Sequence, residues 1–386
     1  MSEYVRECQG KSYPYSLHTL RDQPSTPLRN TIFFLLSIPS LPLLSYAPGG
    51  NQTHMNNRLS LCIVGCGSYA HVVMEYVGDM TDEIEFSFAS RDVDKAKAYC
   101  DQYGGFAYYG SYEDAASDPR VDAMYFITPH DLHLENARLA AKHGKHVFME
   151  KPIARTVDES RKLIEATESA GVTLMVGENF RFDPATEKAK ELIAQGAIGS
   201  LSLIDIQSEN LDDGCVGWRL SLDRCGGGRM IDGGIHYVDV LRNLAGSPES
   251  VYALVPSHKM IPGLEGEDSM ALTASFPGGL TGFLRYAGWT PHDSRRDVRL
   301  TGTKGRIQYE VFGSDVTVQT KEGARSYPVE PEIRGMKAMM RDFIGAIAEG
   351  CEPTMNGQEA LNDLAVVLAA YESVRTGAPV KVADTL

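Results

Sequence analysis

Positive charge, tryptophan and regularly spaced cysteine are all scarce in this sequence of 386 residues. It has 37 Lys and Arg residues against 51 Asp and Glu, which leaves a net charge of −14. Because no cluster of Lys or Arg interrupts this acidic field, we expect no nucleic-acid partner. The apolar fraction of 43% is ordinary for a globular protein.

The seven cysteines follow neither a disulfide framework nor a zinc-binding spacing. They occupy positions 8, 62, 66, 100, 215, 225 and 351, an odd number at irregular intervals. We therefore expect free thiols in a reducing compartment, and no metal site.

Long hydrophobic runs are also missing, apart from one apolar stretch over residues 31–48. Pro39 and Pro42 interrupt it, which argues against a membrane-spanning helix. We expect residues 1–57 to be a dispensable extension, disordered or not part of the native chain. The protein is then expected to be cytoplasmic, without a membrane partner. The alternative is export, with residues 31–48 acting as a signal.

From residue 58 onward, apolar runs alternate with helical patterns. Strands are predicted at 59–64, 84–89, 121–127, 146–150 and 173–177, and helices at 70–77, 93–103, 132–143 and 157–170. Strands that alternate with helices of about 10–15 residues predict βαβ units and a parallel sheet. We therefore expect a doubly wound α/β (Rossmann) domain over residues 58–180.

The pattern changes in the second half of the chain. Strands are predicted at 200–209, 250–255, 270–276, 280–286, 297–301, 306–311 and 316–319, and helices at 186–195, 337–349 and 357–376. Turn residues rather than helices separate most of these strands. We therefore expect an α+β domain over residues 181–386, with a large, mostly antiparallel open sheet.

A glycine-rich turn follows the first predicted strand. Gly65 and Gly67 allow the backbone to approach a pyrophosphate, and Ala70 lets the next helix pack closely on the strand. Ser68 and Tyr69 complete this turn, and the N-terminal amides of the helix that follows favour an anion. Because the Gly-x-Gly-x-x-Ala pattern joins a strand to a helix in the first βαβ unit, it predicts a dinucleotide site.

The end of the second predicted strand is where a Rossmann domain contacts the adenosine ribose. Ser90 and Arg91 suit a 2′-phosphate there. Asp92 lies one position too far along the chain to bind a 2′-hydroxyl, and we expect it to cap the next helix instead. We therefore expect NAD(P) as the cofactor, with NADP(H) mildly favoured over NAD(H). The alternative is that Arg91 is only a solvated surface charge.

Two segments carry side chains suited to proton transfer. Lys151 follows the strand predicted at 146–150, where it would stand beside a nicotinamide and hydrogen-bond a substrate oxygen. Asp232 and His236 are four residues apart and share a helix face with Asp239. A histidine can remove a hydroxyl proton near neutral pH, and a nearby carboxylate can orient it. Such a pair is more often part of a core, but the glycines at 226–228 let the backbone approach a ligand.

Several motifs follow one another along the chain: the glycine turn, Thr128-Pro129-x-x-x-His133, Glu150-Lys151-Pro152, Asn179-x-Arg181-Phe182, Trp218-Arg219 and Gly-Gly-Gly-x-x-x-Asp-x-Gly-x-His-x-x-Asp. In this order they resemble the glucose–fructose oxidoreductase / inositol dehydrogenase / rhizopine-catabolism (Gfo/Idh/MocA) family. The resemblance extends from about residue 59 to residue 382. It implies a Rossmann domain followed by a domain whose open sheet often forms an oligomer interface, so we expect a dimer or tetramer.

The same resemblance implies roles for individual residues. Lys151, Asp232 and His236 match the family's catalytic positions, and Pro152 matches a proline that often follows a cis bond. The implied cofactor positions are Thr128, Pro129, His133, Glu150, Asn179 and Arg181. The candidate substrate positions are Trp218, Arg219, Tyr237 and Asp239. His130 stands where relatives often carry Asn.

The sequence therefore predicts an NAD(P)-dependent oxidoreductase. It would transfer a hydride between nicotinamide and a secondary alcohol or ketone of a sugar, cyclic polyol or glycoside. One alternative is a glycosidase-type enzyme in which a tightly bound, recycled NAD(H) oxidises the substrate transiently and permits elimination. The other is a non-catalytic sugar or cofactor sensor, although such relatives usually lose the lysine or the histidine.

Overall fold

The computed structural model describes residues 58–210, 215–290, 293–330 and 333–386. The predicted extension at residues 1–57, with its apolar stretch, lies outside these ranges. Within them the chain builds two β-sheets, and both sheets belong to the same compact unit.

The first sheet lies in the N-terminal half. Its strands are β1 (Leu59–Val64), β2 (Ile84–Ala89), β3 (Ala107–Tyr109), β4 (Ala123–Phe126), β5 (His146–Glu150) and β6 (Leu174–Gly177). They are all parallel, in the order β3–β2–β1–β4–β5–β6. Every residue of β1 is buried, as expected for a central parallel strand covered on both faces. Successive strands are added toward one edge of the sheet from β1 to β3 and toward the other edge from β4 to β6. The crevice at the carboxyl ends of β1 and β4, where this order reverses, is where such sheets bind ligands.

Five helices cover this sheet. They are α1 (Ser68–Val77), α2 (Val93–Tyr103), α3 (Tyr112–Ser117), α4 (His133–Lys142) and α5 (Val157–Ala170). Local sequence sets their ends: Thr156 caps α5 by accepting the backbone N–H of Glu159, and Gly171 ends it in a left-handed conformation. β3 and α3 were not predicted, because elements this short show no clear period.

The second sheet has nine strands. They are β7 (Leu201–Glu209), β8 (Ser250–Leu254), β9 (Ser269–Ser275), β10 (Thr281–Ala287), β11 (Arg295–Gly302), β12 (Gly305–Glu310), β13 (Asp315–Thr320), β14 (Gly323–Pro328) and β15 (Val380–Lys381). Their order is β14–β13–β12–β11–β7–β10–β9–β8–β15. Among the described strand pairs of this second sheet, only β7–β10 is parallel. Burial alternates along β9, so one face of the sheet is covered and the other is open.

The remaining helices are α6 (Pro184–Ala194), α7 (Leu222–Cys225), α8 (Ile235–Ala245), α9 (Met336–Glu349) and α10 (Gly357–Thr376). A π-helical turn over Met230–Gly234 leads directly into α8. Helix α10 is buried on most sides and contacts α5, α8 and the π-turn, so it joins the two halves of the core.

The predicted fold class is confirmed: a parallel Rossmann sheet precedes a mostly antiparallel sheet with helices. The six cysteines in the described ranges take part in no disulfide, and five of them are buried. No helix among the described residues combines the length and apolar character needed to cross a membrane.

Candidate active site

The glycine turn after β1 is shaped to receive a ligand. Gly65 has a φ of +99°, and a Cβ there would lie 2.4 Å from the carbonyl oxygen of Ile127, so the position requires glycine. At Gly67 a Cβ would meet no described atom within 4 Å. Helix α1 begins at Ser68 with no acidic residue in its first turn, and Ala70 is fully buried where helix and strand pack. Open space beside the N-terminus of a helix fits the pyrophosphate of a dinucleotide.

A cleft of about 610 Å³ begins at this turn. Its walls come from both halves of the chain: the ends of the parallel strands on one side, and the π-turn and the second sheet on the other. The predicted residues that line it are Gly67, Ser68, Tyr69, Thr128, Pro129, Glu150, Lys151, Asn179, Trp218, Arg219, Asp232, His236 and Tyr237. The structure therefore brings the proton-transfer candidates and the glycine turn to one cavity.

Lys151 reaches from the carboxyl end of β5 to the π-turn. Its Nζ donates to the main-chain carbonyl of Asp232 and lies 3.8 Å from Asp232 Oδ1. The Lys151–Pro152 peptide bond is cis. The lysine side chain is 13% exposed, so its charge is largely shielded from bulk water.

Asp232 is a buried carboxylate surrounded by positive charge. Arg229 Nη1 donates to its Oδ2, and Arg219 Nε lies 3.4 Å from the same oxygen. Burial tends to raise the pKa of Asp232, but the neighbouring cations, Lys151 first, hold that pKa below its ordinary value. Asp232 is therefore ionised at neutral pH. It lies in a π-turn rather than in a regular α-helix.

His236 is held by a carboxylate that was not predicted. Its Nδ1 lies 2.5 Å from Oε1 of Glu178, the residue that follows β6. Its ring stacks on Phe180, with the ring centroids 4.3 Å apart. Because Glu178 engages Nδ1, Nε2 is the nitrogen left to face a substrate. Burial, with the charge of Lys151, holds the pKa of His236 well below its ordinary value, so the ring is neutral at pH 7.

Two buried carboxyl groups stand at the carboxyl ends of β5 and β6. Burial raises the pKa of Glu150 and of Glu178 to about 7, while the charge of Lys151 acts in the opposite direction. The hydroxyl of Tyr125 donates to Oε1 of Glu150. Glu178 accepts the backbone N–H of Phe180 at 3.2 Å. Both groups therefore titrate close to neutral pH.

Three predicted residues stand behind the cleft rather than in its walls. His133 is fully buried, with Nδ1 2.9 Å from the carbonyl oxygen of Pro152 and Nε2 3.1 Å from that of Thr128. Arg181 donates from Nε to both carboxylate oxygens of Asp239, at 2.9 and 3.2 Å. Asp239 was expected beside the substrate, but it is fully buried in this ion pair. A carboxylate shielded from water needs such a partner, so Asp239 serves the packing of α8.

The predicted ribose-binding residues lie at the end of β2, outside the walls of the cleft. Ser90 Oγ accepts the backbone N–H of Asp92 at 3.2 Å. As expected, Asp92 caps α2, accepting from the backbone N–H of Lys95 at 3.4 Å. Arg91 is exposed and lies beside the hydroxyl of Tyr112, whose pKa burial raises and Arg91 lowers.

Trp218 and Arg219 lie in a 3-10 turn, Gly217–Leu220. The Arg219 guanidinium stands over the Trp218 ring at 4.7 Å from its centroid. Trp218 also meets the ring of His130 edge-on, with the centroids 4.5 Å apart. His130 is buried, and its Nδ1 lies 2.8 Å from the carbonyl oxygen of Cys225.

Four charged residues at the cleft were not predicted: Glu178, Arg229, Arg296 and Arg334. Arg296 lies beside the hydroxyl of Tyr237. Glu178 directly precedes the Asn-x-Arg-Phe motif, a position that could have drawn attention to it. The three arginines had no such signal, because they come from a turn, a strand and a loop that are distant in sequence from Lys151.

Two family models match the chain. The model of the oxidoreductase family with an NAD-binding Rossmann fold matches residues 59–178, and that of the GFO/IDH/MocA C-terminal domain matches residues 186–308. Together they cover the whole first sheet and strands β7 to β11 of the second.

Relatives and a solved structure agree with these matches. D-xylose 1-dehydrogenase (NADP(+)) 2 of Haloferax volcanii is 31% identical over 302 residues, 76% of this chain and 91% of that protein. The scyllo-inositol 2-dehydrogenase (NAD(+)) of Bacillus subtilis is 30% identical over 282 residues, 69% of this chain and 80% of that protein. The crystal structure of aldose-aldose oxidoreductase from Caulobacter crescentus is 29% identical, with a TM-score of 0.75 over 84% of this chain and 99% of that one. The chain therefore belongs to the Gfo/Idh/MocA family and is an NAD(P)-dependent dehydrogenase or reductase acting on CH–OH groups.

Proposed function

We propose that the enzyme transfers a hydride between nicotinamide and a secondary alcohol or ketone of a sugar, cyclic polyol or glycoside. Lys151 and His236 handle the proton in this proposal. One observation carries it: Lys151, which follows β5, and His236, on α8, line the same cleft that begins at Gly67, and Glu178, which follows β6, lies against His236. The relatives described above include a xylose dehydrogenase and an inositol dehydrogenase, which supports the substrate class.

His236 is the proton acceptor for alcohol oxidation. Its Nε2 takes the hydroxyl proton of the substrate, while Nδ1–H donates to Glu178 at 2.5 Å. This hydrogen bond keeps the proton on Nδ1 and leaves Nε2 free to accept. As the ring becomes charged, the carboxylate of Glu178 stabilises it. In the reduction direction His236 returns the proton to the ketone oxygen.

Lys151 acts on the same oxygen by hydrogen bonding. Its Nζ donates to the carbonyl of Asp232, which leaves two N–H groups for a ligand. The carboxylate of Asp232 lies 3.8 Å from Nζ and helps to position the ammonium group. The lysine therefore stabilises negative charge that develops on the substrate oxygen.

The cofactor would be held by the open turn and the neighbouring strand ends. Gly67 leaves space beside the backbone, Ser68 begins α1, and Thr128, Pro129 and Glu150 line the same cleft. A bound nicotinamide supplies the two-electron acceptor or donor for the reaction.

We also propose that NADP(H) is preferred to NAD(H). The carboxylate of Asp92 is occupied as the N-cap of α2, whereas Arg91 is exposed at the end of β2 and suits a 2′-phosphate. Arg91→Ala should lower kcat/KM for NADP+ by about 10- to 100-fold, the contribution of a charge-assisted hydrogen bond. A strong preference of the wild type for NAD+ would contradict the proposal.

Substitution of the two proton-handling residues tests the function directly. Lys151→Ala and His236→Ala should each lower turnover by roughly 10²- to 10⁴-fold. Turnover is measured by NAD(P)H absorbance across a panel of sugars, inositols and glycosides. NADP(H) affinity, measured by fluorescence titration, should be largely kept. Lys162→Ala and His258→Ala change exposed residues of the same types and serve as controls. Near-normal turnover in both site variants would remove the pair from the mechanism.

The same panel separates the rival functions. Cleavage of a glycoside without net change in NAD(P)H absorbance would indicate transient oxidation by a recycled cofactor. Tight nucleotide binding without turnover of any compound would indicate a sensor.

We further propose a cytoplasmic homo-oligomer, a dimer or tetramer, that assembles through the second sheet, with the domain boundary near residue 180. Leu203 and Phe283, on the neighbouring strands β7 and β10, are 41% and 40% exposed. Such apolar side chains on an open sheet face suit an interface. Phe283→Lys should shift the mass measured by light scattering toward the monomer, and a monomeric wild type would contradict the proposal.

A further inference from the structure

Positive charge is concentrated in the cleft, although the chain as a whole has a net charge of −14. Four cations line the wall of the cleft next to the catalytic residues: Lys151, Arg219, Arg229 and Arg296. The carboxylates among the described lining residues are Asp232 and Glu150. Burial raises the pKa of Glu150, and of Glu178 behind His236, to about 7, so both are only partly ionised at neutral pH and Asp232 is the one fully charged carboxylate of this group.

Asp232 cannot neutralise the cations around it. Lys151 Nζ and Arg219 Nε approach its carboxylate to 3.8 and 3.4 Å, and Arg229 donates to it as well. Even if Arg229 is paired with Asp232 and not counted, the two positive charges of Lys151 and Arg219 lie beside the single negative charge of Asp232. In a cavity shielded from bulk water, this surplus favours a ligand with negative charge.

Arg296 adds to the surplus. It lies on β11 and reaches the cleft beside the hydroxyl of Tyr237, the residue that follows His236. In the described ranges of the chain, no ion pair of Arg296 with a carboxylate is found. Arg219 is 31% exposed and stacks on Trp218, so part of its guanidinium also faces the open cavity.

The phosphates of a dinucleotide do not account for these cations. The pyrophosphate fits the turn at Gly67, where α1 supplies backbone amides. Arg219 instead lies 3.4 Å from Asp232, the partner of Lys151, and Arg296 lies beside the hydroxyl of Tyr237, the residue that follows His236. Their charge is placed for the substrate.

We propose that the substrate is an anionic sugar or polyol, whose carboxylate or phosphate group is bound by Arg296 and Arg219 while its secondary alcohol reaches His236. This inference rests on the proposed oxidoreductase function and names its substrate class. A guanidinium can give two parallel N–H···O bonds to either anion, which adds orientation to attraction. The anionic group is unchanged in the reaction: the alcohol is oxidised to a ketone, NAD(P)+ is reduced, and the proton passes to His236.

Substrates matched in carbon skeleton test the proposal. Glucose, glucuronate and glucose 6-phosphate form one set, and xylose and xylonate another. An anionic member should exceed its neutral partner in kcat/KM by about tenfold or more, and this advantage should shrink as ionic strength rises. The carboxylate and phosphate arms show which anion is used.

Substitution of Arg296 shows whether the advantage comes from this residue. Arg296→Gln should reduce the ratio of kcat/KM for the anionic substrate to that for the neutral one by about tenfold or more. Arg296→Lys keeps the charge but not the paired N–H groups of the guanidinium, so it should reduce this ratio by less. Arg299→Gln changes an exposed arginine on the same strand and should leave the ratio as in the wild type. If circular dichroism shows that Arg296→Gln does not fold, the same ratio measured in Arg296→Lys decides the question.

The outcomes separate this inference from the function on which it rests. A neutral sugar used better than both its acid and its phosphate would overturn the inference and leave the oxidoreductase function intact. If no compound changed NAD(P)H absorbance, the proposed function would fail. Calorimetric titration of the same sets into the enzyme with NADPH would then decide the inference: tighter binding of the anions supports it, and equal binding overturns it.

Discussion

Replacing Glu178 by Gln removes a charge beside His236 and keeps the shape of the side chain. In the wild type, Glu178 Oε1 lies 2.5 Å from His236 Nδ1 and 3.2 Å from the backbone N–H of Phe180. Because that N–H also favours an oxygen at this position, glutamine can still accept from Nδ1–H and preserve the tautomer. The change removes the attraction between a carboxylate and the imidazolium that forms when His236 takes up a proton.

The size of the effect follows from the type of hydrogen bond. A bond to an ionised partner contributes about 1.5–3 kcal/mol, and a neutral one about 1 kcal/mol. The difference of roughly 0.5–2 kcal/mol predicts chemistry that is about 2- to 30-fold slower in Glu178→Gln. Glu178→Ala loses the whole bond, so the rate should fall by roughly 10- to 160-fold.

The pH dependence gives a second, independent measurement. Burial raises the pKa of Glu178 to about 7. Below this pH the protonated carboxyl donates to Nδ1, the ring carries its proton on Nε2, and His236 cannot accept a proton from the substrate. Oxidation by the wild type should therefore slow as the pH falls through about 7. Glutamine has no such ionisation, so in the variant the decline should move to lower pH, since the pKa of His236 is itself well below its ordinary value.

Single-turnover formation of NAD(P)H, followed by stopped-flow absorbance from about pH 5 to about pH 9, measures both effects. Glu150→Gln is the matched control, because burial raises the pKa of Glu150 to about 7 as well, yet its Oε1 accepts from Tyr125. A Glu178→Gln enzyme with the rate and the pH decline of the wild type would refute the assigned role. Loss of the decline in Glu150→Gln would assign that ionisation to Glu150.

Three further substitutions test the cofactor turn and the support behind the cleft. Gly65→Ala should lower the free energy of unfolding in urea by roughly 1–3 kcal/mol, because its φ is +99° and the new Cβ would lie 2.4 Å from the carbonyl oxygen of Ile127. Gly67→Ala, whose Cβ meets no described atom within 4 Å, should keep that stability but weaken NADP(H) binding in a fluorescence titration; unchanged affinity would place the cofactor elsewhere. Arg181→Ala should cost about 3–5 kcal/mol in the same urea assay, since it removes a partner of the fully buried Asp239. A loss below 1 kcal/mol would indicate that other groups satisfy this carboxylate.

Much of the fold could be predicted because its strands and helices are long enough to show a period. The runs predicted at 59–64 and 84–89 coincide with β1 and β2, and those at 157–170 and 357–376 coincide with α5 and α10. The missed strands lacked such a pattern: β14 is exposed along nearly its whole length, and β15 has two residues. An edge strand without a buried face leaves no alternation to detect.

The site was harder to predict because its contacts join distant parts of the sequence. The spacing of Asp232 and His236 suggested a pair, but the nearest partners of Asp232 are cations, including Lys151. His236 is bonded by Glu178, 58 residues away in sequence. Local periodicity shows which side chains share a face, but only the packing of the two sheets shows what that face meets.

The geometry of catalysis depends on how the two halves of the chain fit together. Lys151 and Glu178 follow β5 and β6, which are paired neighbours in the first sheet. Asp232 and His236 are four residues apart in the segment that runs from the π-turn into α8. The contacts Lys151–Asp232 and Glu178–His236 therefore lie close together across the same junction. A shift of one half against the other would disturb both contacts at once, so we expect residues that brace the π-turn without touching the substrate to affect the proton transfer. Glu267, which accepts backbone N–H groups of the segment leading into that turn, is such a residue.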